Sequence, residues 1–328
     1  MIESNFSGLS VKEFFIVMQI ILSRKGFDSS AGGIPSPIMP DGTLLPLPIP
    51  QADGPVKFSA LKYSGMTLSG LIKQLGGKCW RSGCHLDPDI MPGLTVRSND
   101  WQPSLGQYGA AQNHLSIEGV GAGDLFLFFS WFRQTEWYRE NGKKQLRFIA
   151  DAPDLHVIYG WLQIGQIISN PHLNPEALAF LGKHPHLQKA YDSNTIYLPA
   201  DKLTLFGEGV SGADASGDIT ELPGAGCLSH LVTNQEQAGK ALIKQAKDSF
   251  RPVRQLTVPG HKRTVWQLPE CLWPEHSKKV LSYHRKPERW IEQGQTTILQ
   301  SAFRGQEFVV QSKDNQAVRD WLISLLAE

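Results

Sequence analysis

Phe14-Phe15-Ile16-Val17-Met18-Gln19-Ile20-Ile21-Leu22 is the stretch that decides the fold. It is rich in β-branched and aromatic residues and is bounded by Lys12-Glu13 and Ser23-Arg24. A run that is apolar on both faces of a pleat reads as a central strand covered on both sides. Two later stretches have the same character: Asp124-Leu125-Phe126-Leu127-Phe128-Phe129-Ser130-Trp131-Phe132 and Leu155-His156-Val157-Ile158-Tyr159-Gly160-Trp161. Residues 134–146 between them are polar, as in a hairpin or an exposed connection, and Glu307-Phe308-Val309-Val310 supplies a C-terminal strand.

Helical signals are few. Leu68, Leu71, Ile72 and Leu75 are spaced for a short amphipathic helix closed by Gly76-Gly77. Asn174-Pro175-Glu176 has the cap and first-turn proline of a helix start. Further helices are expected over 235–249 and from Asp314-Asn315 to the end, the latter facing the core with Val318, Trp321, Leu322 and Leu325. Strands separated by long irregular segments predict an α+β fold, with a mixed β-sheet, long loops and a few flanking helices. A single large domain is expected over 14–328, with 1–13 as an N-terminal arm and Met18 able to serve as a start. Residues 23–54 are punctuated by glycine and proline and read as a long loop, and 207–226 as a flexible Gly-rich excursion.

Composition excludes several classes. Lys+Arg is 32 and Asp+Glu 31, so no global basic field draws the chain to nucleic acid or anionic lipid, and any such contact must be local. Four cysteines in 328 residues make no disulfide framework. Glu3, Lys12 and Glu13 interrupt any leader-like core. The apolar run reaches only about half of the ~20 residues that a bilayer span needs. The expectation is a cytoplasmic protein with no membrane contact.

Five constellations bear chemistry. Ser23-Arg24-Lys25-Gly26-Phe27-Asp28, directly after the central strand, offers a guanidinium fork, an ammonium and backbone donors for a phosphate, without the Walker A spacing. His85-Leu86-Asp87-Pro88-Asp89 carries a His-x-Asp pair suited to acid–base work, to two ligands of a metal triad, or to capping a turn. Gln107, Gln112, Asn113 and His114 lie among small residues and can read a nucleobase edge. Trp131, Arg133, Tyr159 and Trp161 stand near strand ends, where aromatics stack on bases, although aromatics in strands are mostly core. Tyr283-His284-Arg285 and Arg304-Gly305-Gln306-Glu307 form the fifth. Cys79, Cys84, Cys227 and His230 are too loosely spaced for structural zinc, and His184-Pro185-His186 reads as a helix-terminal turn.

Together these motifs resemble the family called nucleotide modification associated domain 3. The resemblance is carried by Ile21-Leu22-Ser23-Arg24-Lys25-Gly26-Phe27-Asp28-Ser29 with Gly33-Ile34-Pro35-Ser36-Pro37-Ile38, by His85-Leu86-Asp87-Pro88-Asp89, and by Gly109-Ala110-Ala111-Gln112-x-His114-Leu115. Gly123-Asp124-Leu125-Phe126-Leu127-Phe128-Phe129-x-Trp131-Phe132-Arg133, His156-Val157-Ile158-x-Gly160-Trp161 and Arg304-Gly305-Gln306-Glu307-Phe308-Val309 complete it. It implies a nucleotide or nucleic-acid partner, and protein partners in a DNA-modification or phage-defence system, without an assigned reaction.

The leading expectation is an enzyme acting on a nucleotide or nucleic-acid base. His85, Asp87, His114 and Glu307 are its candidate catalytic residues. Ser23, Arg24, Lys25, Asp28, Gln112, Arg133, Trp161 and Arg304 are its candidate substrate and phosphate contacts. The sequence names no cofactor and assigns no metal ligand, because His85 and Asp87 lack an evident third partner among His114, His156 and His284. A non-catalytic nucleotide-sensing or nucleic-acid-binding module stays open as an alternative. So does an iron- and 2-oxoglutarate-dependent oxygenase built on His85-x-Asp87.

Overall fold

The computed structural model of the chain describes residues 18–176, 178–213, 219–228, 252–302 and 305–326. Of the strand expected over Phe14–Leu22, residues 14–17 lie outside the described residues; the strand observed is Ile20–Arg24, and it is central. It lies parallel to Leu125–Glu140 on one side and antiparallel to Glu307–Ser312 on the other. The sheet continues antiparallel from Leu125–Glu140 to Leu155–Ser169, then Thr195–Pro199, then Leu105–Gln107, and it ends beyond Glu307–Ser312 with Ser277–Lys279. This is the mixed sheet of an α+β fold.

Alternation along the strands builds two cores. Ile21, Phe126, Phe128, Val157, Tyr159 and Val309 face one way, where Leu68, Leu71, Ile72 and Leu86 cover them. Ile20, Leu22, Leu127, Phe129, Trp161, Phe308 and Val310 face the other way, under Trp266, Leu299 and the C-terminal helix Asn315–Leu326. Each fully buried Ile, Leu or Phe contributes about 1.5–3 kcal/mol, so both faces of the central strand are held strongly. The first face is called the inner face below, and the second the outer.

The helix Leu68–Gln74 forms where its spacing predicts, with the Thr67 hydroxyl accepting from Gly70 N at 3.1 Å. The polar stretch after Phe132 is a hairpin: Leu125–Glu140 turns through Asn141-Gly142, both at positive φ, into Lys143–Phe148. Other expectations need correction. Asn174-Pro175 opens no long helix, only a 3-10 turn over Ala179–Leu181 and a four-residue helix at Pro185–Gln188. Residues 23–54 hold two strands, Ser36–Ile38 and Ile49–Gln51. Within 207–226, Ala225 begins a strand that pairs with Leu155–Ser169. The arm 1–13 and the helix expected over 235–249 lie outside the described residues. Among the described residues no helix is long and apolar enough to cross a membrane.

Candidate functional site

The strand Gly83–His85 is squeezed between Ile49–Gln51 and Val56–Lys57. Glycine permits this: a Cβ on Gly54 would lie 2.5 Å from the Cys84 carbonyl oxygen. The chain then turns back, with Asp87 N donating to His85 O at 3.0 Å. The turn aims His85 Nε2 at Asp87 Oδ2, 3.6 Å away. The other carboxylate oxygen, Oδ1, accepts from Gly106 N at 2.6 Å.

Two more histidines close on the same carboxylate. His184 Nε2 stands 3.7 Å from Asp87 Oδ1, and His186 Nε2 stands 4.0 Å from Oδ2. They come from the short helix start His184-Pro185-His186, where His184 Nδ1 accepts from His186 N at 3.3 Å. The His186 ring rests on Gly106, where a Cβ would lie only 2.2 Å from Cδ2. The facing nitrogens of His85 and His186 and a carboxylate oxygen of Asp87 lie within 4.8 Å of one another, a spacing that can hold a metal ion. Each of these two imidazoles is steadied from behind, His85 Nδ1 by Gln51 Oε1 at 2.9 Å and His186 Nδ1 by Asn194 Oδ1 at 2.6 Å.

Beside this cluster, at the end of the central strand, Lys25 Nζ pairs with Glu307 Oε1 at 3.1 Å, both side chains buried. Gln107 Nε2 donates to the same Glu307 oxygen. Ser23 sits opposite Glu307 across the strand pair. Ser23 Oγ, Ser130 Oγ, Glu307 Oε2 and His184 Nε2 are buried without a hydrogen-bond partner. Buried polar atoms left this way mark places where a water, ion or ligand belongs. A cavity of about 20 Å³ lies against Gly26, Leu47, Asp87 and Tyr159, room for roughly one water.

The electrostatics follow from burial and neighbours. Burial opposes ionisation of Asp87, but the facing His184 and His85 and the charge of Lys25 outweigh it and hold the carboxyl well below its usual range. Burial drives His186 down to about 4 despite the nearby carboxylate, so its imidazole is neutral at pH 7. Burial, with Cys227, Asp87 and Glu307 nearby, lifts Tyr159 well above the ordinary phenol range.

The structure brings some of the expected residues together and separates others. His85, Asp87, Lys25, Glu307 and Ser23 converge on the inner face. His114 is adjacent: its Nε2 meets Ser282 Oγ at 2.9 Å, and burial lowers its pKa. Gln112 supports the fold instead, accepting from the Tyr197 hydroxyl at 2.9 Å and donating to Ser116 Oγ. Arg24 points to the outer face, its guanidinium 5.9 and 5.8 Å from the Phe129 and Phe308 rings, so Arg24 and Lys25 do not form one grip. Asp28 caps its own loop by accepting from Ser30 N and Ala31 N. Arg133 pairs with Asp154 at 2.7 Å. Trp161 is fully buried in the outer core and donates to Pro223 O. Arg304 lies outside the described residues.

Sequence reasoning missed His184, His186, Gln51 and Asn194. His-Pro-His was visible, but the reading as a helix-terminal turn accounted for it; in the structure it starts the short helix Pro185–Gln188. A cleft of about 510 Å³ lies against the same cluster, with His184 and Leu86 in its wall. Lys57, Lys183, Arg97 and Trp101 line it, Arg97 lying 4.4 Å over the Trp101 ring and paired with Asp89.

No curated protein and no solved structure matches the chain. The family model described as nucleotide modification associated domain 3 matches residues 19–311 of the 328. The match runs from the central strand through Glu307 and takes in every residue of the cluster. The chain therefore belongs to the nucleotide modification associated domain 3 family.

Proposed function

We propose that this protein is an enzyme that modifies a nucleotide or a nucleic-acid base, with its reacting centre at Asp87 and the histidines around it. The observation that carries the proposal is convergence. His85 and Asp87, His184 and His186, Lys25, Gln107 and Glu307 come from separate segments and meet on one sheet face. A module that only bound phosphate would have no need of a buried carboxylate ringed by three imidazoles. Perturbed ionisable groups gathered this way are typical of reacting sites.

The adjoining cleft is the place for the substrate. Its volume of about 510 Å³ is within the range of small-ligand sites. Lys57 and Lys183 supply positive charge for a phosphate, and Trp101 supplies a face for a base. These residues take over the phosphate role expected of Arg24 and Lys25. Glu307 and Lys25 neutralise each other within the protein and hold the end of the central strand against the cluster.

The test is turnover. Purified protein is incubated with nucleotides or DNA, and the nucleosides are then analysed by mass spectrometry. Asp87→Asn should lower product formation by about 10²–10⁴-fold, the usual contribution of a group acting directly on the reaction, with the circular dichroism spectrum unchanged. Nucleotide binding that is intact in both proteins, with product in neither, would instead establish the sensing module.

A further inference from the structure

We infer that His85 Nε2, Asp87 Oδ2 and His186 Nε2 bind a divalent first-row transition metal ion. The inference rests on the same site as the proposed nucleotide chemistry, but it is argued from the direction in which each lone pair points.

An amide oxygen only accepts hydrogen bonds, so a ring nitrogen facing one must carry the proton. Gln51 presents its oxygen to His85 because its Nε2 donates to Asp53 Oδ1 at 3.1 Å. Asn194 presents its oxygen to His186 because its Nδ2 donates to the His186 carbonyl at 2.9 Å. Both amides are thus pinned by independent partners. In their neutral forms His85 and His186 therefore hold the proton on Nδ1, and each turns a bare Nε2 inward.

Asp87 is arranged to match. Its Oδ1 is occupied by Gly106 N at 2.6 Å. His184 accepts on Nδ1 from His186 N, so its Nε2 carries the proton, aimed at the same Oδ1 from 3.7 Å. His85 Nε2 and His186 Nε2 stand 3.6 and 4.0 Å from Oδ2, beyond hydrogen-bond distance. Three lone pairs consequently face one point, from 3.6 and 4.0 Å across the carboxylate and within 4.8 Å overall. With both rings neutral, these lone pairs repel one another. A cation between them turns each contact into a bond.

The spacing fits such an ion. Metal–nitrogen and metal–oxygen bonds of about 2.0–2.2 Å place ligand atoms ~3–4 Å apart, close to the separations seen. The pattern behind the ligands fits as well, since ligating histidines usually pass their other N–H to a carbonyl or carboxylate. Two imidazoles and one carboxylate suit borderline ions such as iron(II), cobalt(II) or zinc(II), rather than magnesium or calcium, which prefer oxygen alone. Three ligands leave coordination positions open for water or substrate. His85 is then a ligand, and His184, whose Nε2 faces the far oxygen of Asp87 from 3.7 Å, is a positioning residue.

The experiment uses the tag-free full chain, stripped with chelator and dialysed against iron(II) without oxygen, cobalt(II), zinc(II) or magnesium, with bound metal counted by mass spectrometry. About one equivalent of a transition ion per chain is expected, with d–d absorption in the cobalt form. His186→Ala should lose at least 100-fold in affinity. His85→Gln, at a less buried position, should do the same if His186→Ala folds poorly. Asn194→Ala should lose about 10–100-fold, as outer-shell changes do. Sub-stoichiometric binding by the wild type, equal binding by His85→Gln, or preference for magnesium would each overturn the inference. The readout needs no substrate. Metal bound without nucleotide turnover would defeat only the proposed function, and turnover by metal-free protein would defeat only the metal.

Discussion

Both faces of the central sheet bury histidines, and they treat them in opposite ways. On the outer face the ring of His284 is closed at both nitrogens. His284 donates from Nδ1 to Ser282 O at 2.9 Å and accepts at Nε2 from Ala302 N at 2.7 Å. His156 accepts at Nδ1 from Trp266 Nε1 at 3.0 Å. On the inner face the rings of His85 and His186 are closed only at Nδ1, and their Nε2 atoms look across a gap at a carboxylate. Burial is equally deep at His284 and His186, so burial does not separate a structural histidine from a working one. What separates them is whether the second nitrogen has a partner within the protein.

The largest expected effect concerns the buried ion pair beside the cluster. Lys25 and Glu307 are 5% and 1% exposed, so removing one strands the other in the core. Lys25→Met should cost about 3–5 kcal/mol, the usual penalty for breaking a buried pair, read from urea unfolding. The double variant Lys25→Met/Glu307→Leu should regain most of that loss. If Lys25→Met is as stable as wild type, the pair is solvated and the inner face is not the enclosed site described above.

The buried histidines of the outer face should show themselves in acid. Burial drives His284, like His186, down to about 4, and drives His156 well below its usual value. Their folded pKa values lie below the unfolded value of about 6.5, so the unfolded chain binds more protons between about pH 6.5 and 4. Stability should therefore fall as pH falls through that window, by up to about 1.4 kcal/mol per pH unit for each such histidine. His284→Gln should flatten the slope of metal-free protein by about one proton. An unchanged slope would mean that His284 is not held neutral, and the closed half of the comparison would fail.

A smaller effect is expected at Gly106, where the backbone serves both sides of the cluster. Its N–H holds Asp87, and its missing side chain makes room for the His186 ring. Gly106→Ala should cost about 1–3 kcal/mol, as overpacking does, and should weaken metal binding along with it. A stability loss with metal affinity intact would show that His186 adjusts freely and that its placement is not critical.

The sheet was legible because long apolar runs with period-two alternation have few other solutions. Half of the cluster was legible too: His85 and Asp87 share one short segment, and Lys25 and Glu307 stand at strand ends. His186, Gln51 and Asn194 were not. They arrive through turns whose local chemistry, a proline-led helix start and a Pro-flanked strand, already accounts for the residues present. Only the tertiary fold brings their polar ends to one point. The pairing of Arg24 with Lys25 was a different error. Neighbours at a strand end point to opposite faces, so that separation could have been read from the sequence.

That separation yields the smallest and most discriminating prediction. If the nucleotide phosphate lies in the cleft beside His184, Lys183 should matter and Arg24 should not. Lys183 is exposed in the cleft wall, so Lys183→Ala should leave stability nearly unchanged. It should weaken binding of a nucleoside monophosphate by about tenfold or less at low salt, since an exposed charge contact is worth ~1 kcal/mol and is screened. Arg24→Ala should leave that affinity unchanged, because its guanidinium lies over Phe129 and Phe308 on the other side of the sheet. Calorimetric titration of both variants at two salt concentrations separates the cases. A loss confined to Arg24→Ala would move the phosphate to the outer face and leave the inner cluster without its substrate.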